Sequence, residues 1–96
     1  MKQIERIRQM EERFERASKA IKKLSSALDD YGKVQEDLAA LSKYYGSKTW
    51  KKDFNDDEAG RLSADLKRGV LSEDGIWDLL EANRELKEAL QKITQN

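Results

Sequence analysis

Residues 44–78, YYGSKTWKKDFNDDEAGRLSADLKRGVLSEDGIWD, decide how this chain folds. They hold four of the five glycines, both tryptophans and two of the three tyrosines. Gly46 is placed to take a left-handed conformation behind one helix, and Ser47 to N-cap the next, over 48–58. Trp50 and Phe54 are four apart and share a face of that second helix. Gly60 closes it. Ser63 can cap one further turn over 64–68, which Gly69 stops.

The next start signal is the clearest in the chain. Ser72 is the expected N-cap, and Glu73 and Asp74 set negative charge against the helix dipole. Leu71 before the cap and Ile76 inside the helix have the spacing of a hydrophobic staple. The seam that follows is Ile76, Leu79, Asn83, Leu86, Leu90 and Ile93. Asn83 is its one polar member, and a lone seam asparagine sets register or partner number at some cost in stability.

Toward the N-terminus, apolar residues recur at three- and four-residue steps. One set is Ile7, Phe14, Ile21 and Leu28, and the other is Met10, Ala17, Leu24, Tyr31, Leu38 and Tyr45. The first set slips at Gln35, where Val34 and Leu41 take over one position earlier, as when a helix changes its packing partner. Asp29, Asp30 and Gly32 weaken the helix locally by roughly 2 kcal/mol relative to alanine. The second set continues through them, so one helix is expected over 2–45. The rival is a break there that folds the arm back.

Composition agrees with helices. Charged residues make up 40% of the 96 and hydrophobic ones 38%, and there is no proline to force a break. Net charge is zero, so no global field draws the protein to nucleic acid or an anionic membrane. With neither cysteine nor histidine, thiolate catalysis, disulfides and the commonest general base and metal ligand are excluded. No apolar run approaches the roughly 18 residues of a membrane span or forms a signal peptide, and a cytoplasmic location is expected.

YYGS at 44–47, the W-x-x-D-F run of Trp50 to Phe54, D-E-A-G at Asp57 to Gly60, and DLKRGVLSEDGIWDLL at Asp65 to Leu80 are the most specific motifs. In them the chain resembles a small bacterial family, domain of unknown function 4298, over nearly its whole length. The resemblance implies a bacterial, all-helical protein of about this size. It brings no activity and no site.

Three constellations bear on chemistry. Asp53, Asn55 and Asp57 have the spacing that opens a calcium loop, but Glu58 stands where its glycine belongs and Ala64 where its bidentate glutamate belongs. Tyr44, Tyr45, Lys48, Trp50, Lys51, Lys52, Lys67 and Arg68 mix aromatic and basic groups as single-strand binders do. Asp53, Asp56, Asp57 and Glu58 beside them repel phosphate. Asp65, Lys67, Arg68, Glu73, Asp74 and Asp78 read as an ion-pair network pinning a turn. No catalytic, cofactor or metal residue is assigned.

The sequence therefore reads as a single all-α domain, 1–96. Its expected form is a long, coiled-coil-like antiparallel hairpin of helices 2–45 and 73–94, closed by a compact cap of short helices over 46–71. Tyr45, Trp50, Phe54, Leu66 and Leu71 are its structural cap. At 1.5 Å per residue the first helix spans roughly 65 Å and the last about 35 Å. Ile4, Ile7, Met10 and Phe14 are then left uncovered as an interaction surface. The expected function is non-enzymatic: a protein-protein interaction or scaffolding protein, self-associating through the first helix as a dimer. The alternative is a nucleic-acid-associated protein using the Trp50 face.

Overall fold

A computed structural model describes residues 2–95. The described residues are all-helical: α1 (Gln3–Lys33), α2 (Gln35–Tyr44), α3 (Lys48–Glu58), a 3-10 turn (Gly69–Leu71) and α4 (Gly75–Thr94). The chain divides into two compact units, Met1–Gln35 and Glu36–Asn96.

In the first unit α1 runs through Asp29, Asp30 and Gly32 and ends at Lys33, whose charge complements the helix dipole. Where one helix over 2–45 was expected, regular hydrogen bonding stops at Val34. Val34 (φ −97°, ψ 6°) turns its N–H back to the Tyr31 carbonyl at 3.3 Å. The Gln35 side-chain amide donates to the same carbonyl at 2.9 Å, the place its backbone N–H would hold in an unbroken helix. The interruption sits where the apolar set slips from residue 35 to residue 34.

In the second unit the turn chemistry shapes the backbone. Gly46 (φ 78°) takes the left-handed conformation behind α2. Ser47 then caps α3, its Oγ accepting the Trp50 N–H at 3.1 Å. Gly60 (φ 72°) closes α3 with a Schellman pair: its N–H reaches the Asp57 carbonyl at 3.0 Å and the Arg61 N–H reaches that of Asp56 at 2.9 Å.

Two expectations are corrected beyond this point. The helical turn over 64–68 does not form; the chain makes a bend in which the Leu66 N–H meets the Ser63 carbonyl at 3.2 Å. In addition, α4 starts at Gly75 rather than Glu73. Ser72 is therefore not the N-cap, a place that Asp74 takes without a side-chain cap bond; extended (φ −71°, ψ 153°), its Oγ accepts the Gly75 N–H at 3.0 Å and donates to the Gly69 carbonyl at 2.9 Å. Tied to both sides, Ser72 draws the 3-10 turn against the helix start and delays its first regular turn. Among the described residues the buried hydrophobic ones are Leu71 and Ile76, at 6% and 2% exposure; with Asp74 as the N-cap they do not hold the N′ and N4 places of the expected staple. The 3-10 turn carrying Leu71 packs on both α3 and α4.

Candidate functional site

Two features stand out, one in each unit. In the second unit an aromatic cluster locks the turn. The Trp50 ring stacks on Phe54 (centroids 5.2 Å apart, planes at 28°), and Tyr45 meets it edge-on at 5.1 Å. Its indole N–H donates to the Val70 carbonyl at 2.9 Å, tying α3 to the 3-10 turn. The Tyr45 hydroxyl donates to the Glu73 carbonyl at 2.9 Å, tying the end of α2 to the approach to α4. Tyr44 donates to Asp53 at 2.7 Å. Its burial, then that carboxylate, push the phenol up to about 12.

The acids of α3 are likewise engaged. Asp56 pairs with Arg61 at 3.1 Å and, more loosely, with Lys52 at 3.9 Å. Asp57 lies 3.0 Å from Arg68 Nε, a contact too bent to be a straight hydrogen bond. The same guanidinium donates to the Ser63 carbonyl at 2.5 Å. Arg68 thus straps the 61–68 bend to the end of α3. Ser63 donates to Asp65, which holds that carboxyl below its ordinary range. On α4, Arg84 bridges Glu81 and Glu88 along the exposed face and lowers the Glu81 carboxyl.

Asp53 and Asp57, whose spacing resembles the opening of a calcium loop, point to different partners on the helix, Asp53 to Tyr44 and Asp57 to Arg68. Among the described residues no group of three or more acids could hold a metal ion. Nor is any described helix long and apolar enough to cross a membrane.

Of the expected cap residues, Leu71 is buried and Tyr45, Trp50 and Phe54 are half-buried. Leu66 is 50% exposed, because the bend at 64–66 replaces the helical turn that would have aligned it with Leu62. Asn83 is half-buried on α4. The roles of Val70, Asp57 and Arg68 were not read from sequence as a lock. Each depends on a partner 11 or more residues away, or on a backbone carbonyl, which carries no side-chain signature. A shallow apolar depression beside the 3-10 turn is lined by Leu41, Val70, Ile76 and Leu79, with Lys67 at its edge.

In the first unit, no residue of α1 is buried. Ile4, Ile7, Met10, Phe14, Ile21, Leu24 and Leu28 are all exposed, Phe14 most of all at 71%. They form one stripe at helical spacing.

These features define an all-α protein in which an aromatic-locked turn joins amphipathic helices. Residues 7–93 match the family model described as domain of unknown function (DUF4298), and the chain belongs to that family. No curated protein and no solved structure matches it.

Proposed function

We propose that this is a non-enzymatic interaction or scaffolding protein of the bacterial cytoplasm that presents the α1 stripe to a protein partner and self-associates through it as a dimer. The observation that carries the reading is one helix with seven large apolar residues exposed and none buried. Soluble monomers rarely leave so long an apolar stripe open to water. Most helical stability in proteins comes from packing an amphipathic face, and no residue of α1 is buried. A coiled-coil-like pairing of long helices, as the seven-residue seams prescribe, belongs to the same proposal.

The aromatic cluster supports this reading over nucleic-acid association. Trp50 stacks on Phe54, meets Tyr45 and spends its N–H on Val70, so it is poorly placed to stack on a base. The acids flanking Lys51 and Lys52 oppose phosphate as well.

The test is helicity by circular dichroism across a concentration series. Helicity should rise with concentration and reach a plateau, and Phe14→Glu should hold it at the dilute value. Helicity independent of both concentration and that substitution would overturn the reading.

A further inference from the structure

We infer that the occupant of the α1 stripe is a second copy of the chain, its α1 antiparallel about a twofold axis between Glu15 and Arg16, with Phe14 of each copy seated over Ala17 of the other. This rests on the interaction reading above and adds occupant, orientation and register.

The first observation is a hole of matching shape. Phe14, Ala17, Ser18 and Ile21 line an open apolar depression on α1, with Lys22 at its edge. Their spacing is that of the four residues that receive one side chain from a facing helix. Ala17 is the smallest residue of the stripe, and Phe14 is its most exposed large member. A parallel, in-register pair sets Phe14 on Phe14 and Ala17 on Ala17, crowding one layer and leaving a void in another. The antiparallel pair alternates large with small at its centre. Met10 then meets Ile21, and Ile7 meets Leu24, on both sides of the axis.

The second observation is charge. Residues 11–15 hold Glu11, Glu12 and Glu15 with one arginine, whereas residues 16–20, which this axis sets opposite them, hold Arg16 and Lys19 and no acid. The antiparallel arrangement lays the acidic segment of one copy along the basic segment of the other. The parallel one lays each beside its like. Next to the seam, Glu11 faces Ser18 and Arg13 faces Ala20, so no like charges meet there. A parallel pair would gain contacts between Arg6 and Glu11; single exposed pairs are of little worth in either orientation, so it is the opposition of whole segments that favours the antiparallel one.

The chain has no cysteine, so engineered thiols report cleanly. Met10→Cys and Ile21→Cys proteins are oxidised mildly, each alone and as an equal mixture. The mixture should give a disulfide-linked dimer between the two variants, and neither should link to itself. In the antiparallel register, like positions lie about 16 Å apart along the axis. Self-linked dimers of each variant, or a dimeric wild type that links in no combination, would overturn the orientation and leave self-association standing. A wild-type chain that is monomeric by light scattering would overturn self-association itself. If either variant loses dimer mass under reducing conditions, Ile7→Cys with Leu24→Cys asks the same question one layer outward.

Discussion

Gly75 approaches the carbonyl oxygen of Gly69 so closely that a Cβ at residue 75 would fall well inside contact distance of it, and 2.6 Å from Ser72 Oγ. This packing brings the 3-10 turn and Leu71 onto the start of α4. Gly75→Ala should therefore cost about 2–3 kcal/mol by overpacking against backbone that has no room to yield. Gly32 offers the contrast: it lies in α1 with nothing within 4 Å of where a Cβ would be. Gly32→Ala should stabilise by about 0.5–1 kcal/mol. Thermal melts of the two variants should move in opposite directions.

Trp50 joins α3 to the 3-10 turn through the Val70 carbonyl. Trp50→Phe keeps most of the stacking and removes that bond, for a loss of about 1 kcal/mol. Trp50→Ala also loses the ring, and for a half-buried side chain should cost about 3 kcal/mol. Trp77 is 54% exposed, so Trp77→Phe leaves Trp50 as the sole indole for fluorescence. Acrylamide should quench Trp50 far less in the folded protein than after unfolding. Equal quenching would show that the aromatic cluster is not packed.

The Tyr44 phenol is raised to about 12 by burial and by the Asp53 carboxylate that accepts its hydrogen bond. A group bound more tightly to its proton when folded adds stability below its unfolded value, near 10 for tyrosine, and loses it as pH climbs toward the folded value. Wild-type stability should therefore fall more steeply than that of Tyr44→Phe between about pH 10 and 12. Absorbance titration should show a late tyrosine ionisation in the wild type, and that late step should be missing from the variant.

Arg68 straps the 61–68 bend through Asp57 and the Ser63 carbonyl. Arg68→Ala should cost about 1 kcal/mol and speed proteolysis within 61–67 while leaving the helices intact. Asp57→Asn should give part of the same effect, because it removes the charge and leaves the Ser63 contact.

The parts of this architecture written in local chemistry were legible in the sequence. Ser47, Gly46 and Gly60 act on residues two to four positions away, and the bounds of α3 followed from them. The staple expected of Leu71 and Ile76 presumed a helix start at Glu73, and both residues are buried without holding its two positions. The end of α1 was half legible: the apolar slip marked residue 34, but the intact second set masked the interruption. The 61–68 bend was not legible. Leu62 and Leu66 have helical spacing, and only the pull of Arg68 toward Asp57 and Ser63 sets their course. The late start of α4 was hidden as well, since it depends on the Gly69 carbonyl meeting a residue without a side chain. The α1 stripe was visible in the residue pattern, though its occupant was not, because a stripe names a need for cover and not what supplies it.

The stripe is the centre of this account, and the mass of the protein in solution tests it most directly. Light scattering at micromolar concentration should give twice the 11.1 kDa mass of the chain for wild type and the single-chain mass for Phe14→Glu. A mass of one chain for both proteins, with α1 fully helical, would contradict the account.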